Sequence, residues 1–173
     1  MKILGIDPGL AQTGWAILKK NSNQSTSSNS GSIELIKCGC IKTSSDLDLP
    51  QRLNILYSGL RNIIKKYKPE LIAIEKQFLY QKSQAVLHTS EARGIIFLLA
   101  AQKNIKIKEY NPKEVKVAIT GYGSADKNQV RFMVKKLLRT ENIPRQDDTS
   151  DAIAVGICHL NSFLLESTSK IDT

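Results

Sequence analysis

The chain has 173 residues, of which 41% are hydrophobic, 24% charged and 6% aromatic, and its formal net charge is +9. This length suits one domain, the hydrophobic content excludes a wholly disordered chain, and no apolar run approaches the ~18 residues that a membrane span needs. A strongly basic protein of this kind points to a polyanionic partner, most often a nucleic acid.

The first third of the chain has the pattern of an antiparallel meander. Two apolar runs, Lys2–Asp7 and Gly14–Lys19, are separated by the turn-forming pair Pro8-Gly9 and predict a hairpin. Residues 20–31 contain no apolar side chain and predict a long flexible hairpin loop. A third strand is expected over Ser32–Thr43.

The middle of the chain alternates helices and strands. Apolar residues recur at helical spacing from Leu49, and this helix must end near Pro69. A strand over Glu70–Glu75, a helix over Ser83–Gln102 and a strand over Ile105–Tyr110 follow. Because helical crossovers join parallel strands, the fourth and fifth strands are predicted to be parallel.

The last third predicts helices only, at about 112–120, 126–139 and 148–167. The sequence therefore indicates a single α/β domain over residues 1–166, with a mixed five-stranded sheet, an antiparallel front meander and flanking helices. Residues 167–173 are expected to form a frayed tail. Between Lys103 and Arg145 there are 11 basic and four acidic residues. This segment predicts a surface for a polyanion, although a solvated basic helix face without a partner is the alternative.

The cysteines do not indicate a metal site or a disulfide framework. Three is an odd number, and Cys38 and Cys40 lack the two-residue gap of a zinc knuckle. The N-terminal apolar run is too short for a signal peptide. We therefore expect reduced thiols in a cytoplasmic protein.

Two acidic residues end apolar runs. Asp7 follows Ile3–Ile6, and Glu75 follows Leu71–Ile74. Ligands of an open α/β sheet gather at the carboxyl ends of its strands, so Asp7 and Glu75 meet there if the first and fourth strands are neighbours. For either acid alone, an ordinary polar strand end is the alternative.

A second acidic pair precedes an apolar helix. Asp148 and Asp151 stand three residues apart and share a face of the first helical turn. The alternative is helix capping, with Asp148 as the N-cap and Asp151 in the place of a capping-box acid. Both roles are compatible with carboxylates that point outward.

Converging carboxylates would need neutralisation. Two unit charges ~4 Å apart interact by roughly 4 kcal/mol at an effective dielectric constant of about 20. Oxygen ligands without His or Cys suit Mg²⁺ or Mn²⁺ rather than zinc. A pair of such ions could bind the attacking water and the leaving oxygen of a phosphodiester. An acidic pocket inside a basic protein therefore predicts a metal-dependent nuclease.

Five separated stretches resemble the RuvC family of crossover junction endodeoxyribonucleases, in matching order and spacing. They are GIDPGLAQTGWA (Gly5–Ala16), LIAIEKQF (Leu71–Phe78), HTSEARG (His88–Gly94), YNPKEVKVAITGYGSADKNQV (Tyr110–Val130) and DDTSDAIAVGICH (Asp147–His159). The resemblance implies an RNase H-like fold of the retroviral integrase superfamily. It also implies a homodimer that resolves Holliday junctions in DNA recombination and repair by Mg²⁺-dependent, paired symmetric incisions, with the RuvA and RuvB branch-migration proteins as partners.

The resemblance also implies residue roles. Asp7, Glu75, Asp148 and Asp151 match the catalytic metal-binding acids. Lys116 and Lys127 match basic positions that contact DNA phosphate, and Lys113 in the same basic segment is a further expected DNA contact. Phe78 matches an aromatic residue that stacks on bases at the junction centre, and without the resemblance it would be taken for a core residue.

Three other functions are compatible with parts of the sequence. A non-catalytic nucleic-acid-binding module would use only the basic segment, but it has no need of the four acids. An actin- or hexokinase-like phosphotransferase would explain Asp7-Pro8-Gly9 followed by Thr13-Gly14, but that fold needs two domains. Another RNase H-like nuclease, acting on an RNA–DNA hybrid or on RNA, would differ only in its substrate.

Overall fold

The computed structural model describes residues 1–21, 32–76, 84–140, 143 and 147–168. These residues form five strands and five helices. The strands are β1 (Lys2–Asp7), β2 (Gln12–Lys20), β3 (Ile33–Lys42), β4 (Leu71–Glu75) and β5 (Lys106–Tyr110). The helices are α1 (Leu49–Tyr67), α2 (Gln84–Gln102), α3 (Pro112–Thr120), α4 (Lys127–Leu138) and α5 (Asp147–Thr168). Among the described helices, none is long and apolar enough to cross a membrane.

The five strands form one mixed sheet in the order β3-β2-β1-β4-β5. The strands β1, β2 and β3 pair in antiparallel fashion, whereas β4 is parallel to β1 and β5 is parallel to β4. The predicted meander and the parallel pair are confirmed, and the first and fourth strands are neighbours. The strand β2 continues to Lys20, and the N–H of Asn21 donates to the carbonyl of Ser32 at 3.1 Å. The rest of the predicted hairpin loop and residues 169–173 of the predicted tail lie outside the described residues.

Helices cover both faces of the sheet, and strand alternation decides which side chains face which helices. Ile3 and Ala73 belong to the core cluster under α3, α4 and α5, whereas Leu4 belongs to the cluster under α1 and α2. Because strand side chains alternate between faces, Asp7 and Glu75 share the α5 face with Ile3 and Ala73.

Capping residues fix where α1 and α4 begin. The side chain of Asp48 accepts from the N–H of Gln51 at 2.9 Å, and that of Asp126 accepts from the N–H of Gln129 at 2.9 Å. Both N-caps are capping boxes, which satisfy backbone donors that a helix start leaves unpaired. Asp126, predicted as the first residue of a helix, is therefore the cap before α4.

Candidate active site

Asp7 and Glu75 lie side by side at the carboxyl edge of the sheet. The parallel register pairs Ile6 with Ile74, and each acid is the next residue on its strand. Both acids face α5, as strand alternation requires. The sequence expectation that these two carboxylates converge is met by this register.

Three glycines let the backbone of α5 lie directly on the sheet. A Cβ on Gly14 would come 1.9 Å from the carbonyl oxygen of Asp148, and a Cβ on Gly5 would come 2.2 Å from that of Ala152. Gly156 faces Gly5 from the helix side, with Gly5 Cα 3.7 Å from the position of its Cβ. Since no larger residue fits at this distance, the glycines bring the first turn of α5 to the edge where β1 ends.

The first turn of α5 contains Asp147 and Asp148, and Asp151 follows on the same face one turn later. The helix begins at Asp147, so Asp148 is inside the first turn. The alternative in which Asp148 is the N-cap is therefore wrong. Thr149 in this first turn is fully buried, and its hydroxyl donates to the carbonyl of Gly39 at 3.3 Å.

The carboxylates affect one another electrostatically. Burial, followed by the charges of Asp151, Glu75 and Asp148, raises the pKa of Asp7 to about 8. Burial is also the main cause of the raised pKa values of Glu75 and Asp151. At neutral pH the cluster therefore either retains protons or needs a cation close to Asp7.

Two of the predicted lysines lie against this cluster. The Nζ of Lys127 is 3.9 Å from Oδ2 of Asp151, and the charges of Lys116 and Lys127 lower the pKa of Glu75 against the effect of burial. Lys116, Lys127, Glu75 and Asp151 line one cleft of about 160 Å³. A cleft with cations on one side and carboxylates on the other suits a phosphate that approaches a metal site.

The other two predicted DNA contacts differ in what the structure describes. Lys113 is exposed on α3, and its side chain lies against Gly123, where an added Cβ would come 2.6 Å from its Cγ. Lys113 therefore borders the loop before α4 rather than the cleft. Phe78 lies outside the described residues.

The donor set fits a hard divalent cation. Four carboxylates approach from three segments that are far apart in the sequence, and oxygen ligands of this kind suit Mg²⁺ or Mn²⁺. In the described part of the chain, no three His, Cys, Asp or Glu side chains are yet arranged closely enough to hold an ion.

Sequence reasoning missed the role of Arg93 beside the cluster. Its Nη1 donates to the carbonyl of Glu75 at 2.5 Å, and its Nη2 pairs with Glu109. Arg93 thereby ties α2 to the ends of β4 and β5. Its place in the stretch HTSEARG was the available signal, but the partner is a backbone atom, which no side-chain pattern reveals.

A second missed feature is a cleft on the other side of Asp148. This cleft of about 390 Å³ is lined by residues of the β1–β2 turn, by Arg52 and by His88. Cys40 also lies close, since the charges of Asp148 and Asp7 help to raise the pKa of its thiol after burial. The Nδ1 of His88 is 3.0 Å from Oε2 of Glu91.

A mixed sheet in this strand order, with carboxylates at the carboxyl ends of its central strands and on the facing helix, defines an RNase H-like nuclease. The sequence model of the RuvC family, described as crossover junction endodeoxyribonuclease, matches residues 3–159. The chain belongs to the RuvC family. It is thus an endodeoxyribonuclease that acts on crossover, or Holliday, junctions in DNA recombination, and nucleases of this family are metal-dependent.

Individual relatives agree with this assignment. The chain is 41% identical to the crossover junction endodeoxyribonuclease RuvC of Syntrophomonas wolfei over 96% of this chain and 92% of the relative. It is 45% identical to that of Caldicellulosiruptor saccharolyticus over 94% of this chain and 93% of the relative. The structure of Thermus thermophilus RuvC in complex with a Holliday junction substrate has a TM-score of 0.86, with 25% identity and 96% of each chain covered.

Proposed function

We propose that Asp7, Glu75, Asp148 and Asp151 are the catalytic acids and hold two Mg²⁺ ions, for which Mn²⁺ can substitute. The activity is the paired, symmetric incision of a Holliday junction, one incision by each subunit. The observation that supports this proposal is the convergence of Glu75, Asp148 and Asp151 on Asp7, since burial and then these three charges raise the pKa of Asp7 to about 8. A cluster so unfavourable without cations is best explained as a metal site.

Bound divalent ions would supply Lewis-acid stabilisation of charge at the scissile phosphate and would lower the pKa of the attacking water. The side chains of the protein have separate tasks. The carboxylates fix where the ions lie relative to the strand ends, and Asp7 must be deprotonated to take part. Lys116 and Lys127, on the opposite side of the cleft, hold the phosphate that enters it.

The DNA contacts follow from the surface around the cleft. Lys116 on α3 and Lys127 at the start of α4 line the cleft, whereas Lys113 on α3 lies beside the loop before α4. Lysines at this position provide affinity through phosphates and carry no base sequence information. By family resemblance Phe78 is proposed to stack on bases at the junction centre.

A homodimer is proposed through the exposed face of α2. Leu87 is 57% exposed and Leu98 is 49% exposed, and helical spacing puts Gly94 between them on the same face. A Cβ on Gly94 would meet no atom within 4 Å, so packing inside the subunit does not require glycine at this position. Glycine between two exposed leucines allows a second helix to approach closely, and the two-fold symmetry of a four-way junction matches a symmetric pair.

Three further proposals rest on family resemblance. The RuvA and RuvB branch-migration proteins are proposed as partners on the junction, and the cytoplasm as the compartment where it acts. Residues 1–166 are proposed as one nuclease domain. Co-purification of RuvA and RuvB with this protein on junction DNA tests the first of these.

The decisive experiment is a substrate screen with purified protein. A synthetic four-way junction should be nicked symmetrically in Mg²⁺ and left intact in EDTA, whereas a linear duplex and an RNA–DNA hybrid of the same length should remain largely uncut. Asp7→Asn should abolish cutting and preserve junction binding. Asp46→Asn, an exposed acid before α1, is the matched control and should cut normally. Preference for the hybrid would overturn the substrate assignment.

A further inference from the structure

A second pocket, of about 370 Å³, lies between the end of α3 and the first turns of α4. Its lining consists of Thr120, Tyr122, Asn128, Gln129, Phe132 and Met133. Two of these side chains are aromatic and open to solvent, since Phe132 is 58% exposed and Tyr122 is 45% exposed. Large apolar rings at the rim of a concave surface are typical of a binding site.

Neither ring belongs to the two core clusters of the described residues. The described residues that α4 contributes to the core are Val134, which is buried, and Val130, Met133 and Leu138, which are partly buried. Phe132 points away from this cluster, and the Nζ of Lys136 lies 5.4 Å from its ring centroid. An aromatic ring that contributes no core packing and lies beside a cation has the surroundings of a stacking platform.

The loop that carries Tyr122 is held in place. The hydroxyl of Thr120 donates to the carbonyl of Lys116 at 2.8 Å and accepts from the N–H of Tyr122 at 3.4 Å. Gly121 has a φ of 86°, which glycine adopts at little cost. The position of Tyr122 at the pocket is therefore fixed by the end of α3.

The pocket lies in a positively charged surface. Between Lys127 and Leu138 the helix α4 carries four basic residues and no acid. Helical spacing leads from Lys127 through Arg131 to Lys135 and Lys136, on either side of Phe132.

This surface is continuous with the carboxylate cluster. Lys127 is 3.9 Å from Asp151 at the cleft, and the next residue, Asn128, lines the aromatic pocket. On the loop side, the side chain of Lys113 lies against Gly123, which follows Tyr122.

We propose that this pocket binds an unpaired base of the DNA strand that enters the carboxylate cluster. The base stacks on Phe132 with Tyr122 beside it, and the basic residues of α4 hold the flanking phosphates. Rings between cations suit a nucleic acid better than a protein partner, because every base has a face that can stack and every nucleotide carries a phosphate. This inference rests on the nuclease function proposed above.

The test measures binding in an Asp7→Asn background, so that the DNA stays intact. Phe132→Ala should weaken affinity for a synthetic four-way junction about fivefold to tenfold, the effect of losing one stacked base. Phe132→Trp, in the same Asp7→Asn background, should keep the affinity that the protein has with Phe132. Leu137→Ala is the matched control, since Leu137 lies on the same helix with 37% exposure and does not line the pocket.

A second readout locates the base. The fluorescent base 2-aminopurine, placed in turn at positions flanking the cut, should change its emission on binding at one position, and this change should disappear in Phe132→Ala. Unchanged affinity and emission in Phe132→Ala would overturn the proposal, as would an equal loss of affinity for a continuous duplex. If Phe132→Ala lowers the thermal midpoint, Tyr122→Ala tests the same pocket. Both readouts are independent of cutting, so they stay interpretable if the proposed catalysis fails.

Discussion

Gly14 of β2 lies directly beneath the backbone carbonyl of Asp148 in α5. A Cβ on Gly14 would come 1.9 Å from that oxygen and 3.0 Å from the nitrogen of Thr149. No rotamer change can relieve such a contact, because both partners are backbone. The place of the last two acids is therefore determined by the absence of a side chain on a neighbouring strand.

Gly14→Ala is expected to displace the start of α5 and to separate Asp148 and Asp151 from Asp7. We expect a loss of about 3 kcal/mol in the free energy of unfolding, with loss of cutting that exceeds the loss of junction binding. Gly39→Ala on β3 is the milder comparison, since its Cβ would lie 3.0 Å from the nearest atom, which belongs to the side chain of Trp15 and not to backbone. Equal effects of the two substitutions on cutting would contradict the argument.

The stability of the metal-free protein should fall as pH rises from about 4 to about 8. The pKa of Asp7 is about 8 in the folded protein against 3.8 as the ordinary value, so the unfolded chain releases this proton first. Asp7→Asn should reduce the effect, since Glu75 and Asp151 keep raised pKa values, and should raise the free energy of unfolding by on the order of 2 kcal/mol at pH 8, with little change at pH 4. Thermal unfolding in EDTA across this range, with Asp46→Asn as control, measures it. If the free energies of unfolding of Asp7→Asn and the parent protein differ by the same amount at pH 4 and at pH 8, the raised pKa of Asp7 is contradicted.

Added Mg²⁺ should stabilise the protein in a pH-dependent way. Ligand carboxylates must be deprotonated to bind a metal, so the rise in thermal midpoint caused by Mg²⁺ should be larger at pH 8 than at pH 6. The rise should be much smaller in Asp7→Asn. An equal rise in that variant would show that the ion binds elsewhere.

The lysines at the cleft should determine the salt dependence of binding. Removing one phosphate contact lowers the slope of log K against log salt by about 1. Lys116→Met and Lys127→Met should each show this change on a four-way junction. Lys65→Met, in the last turn of α1 at the opposite end of the strands, is the matched control. A reduced slope in the control would mean that basic charge acts collectively and not at the cleft.

Leu98→Glu should weaken self-association. In the proposed pair, a carboxylate on the exposed face of α2 would face the same carboxylate of its symmetry mate. The dimer dissociation constant measured by sedimentation should therefore rise at least tenfold. Leu137→Glu places the same charge on α4 and should leave the oligomeric state unchanged. A purely monomeric parent protein would refute the proposed homodimer.

Local patterns in the sequence predicted the elements well. The bounds of β1 and α3 agree with the apolar runs. The adjacency of Asp7 and Glu75 was expected only if the first and fourth strands are neighbours, and the structure meets that condition. The approach of α5 did not follow, because it depends on Gly5 and Gly14 meeting residues more than a hundred positions later. A glycine in a β-strand can have several structural roles, and only the packed structure shows which of them applies.

Two other features escaped for related reasons. The bond from Arg93 to the carbonyl of Glu75 has a backbone acceptor, which residue types cannot reveal. The exposure of Phe132 contradicts the usual expectation for an aromatic residue between Val130 and Val134, since the face it occupies depends on how α4 is rotated against α5.

In the proposed homodimer, the contact between Arg93 and Glu75 would link the pairing face of α2 to the carboxylate cluster. Arg93 is held on α2, next in sequence to the glycine of the proposed pairing face, and it grips the end of β4 through a carbonyl oxygen. In such a pair, a rotation of α2 would also move the end of β4 that carries Glu75. The geometry of each carboxylate cluster would then depend on the presence of the twin subunit.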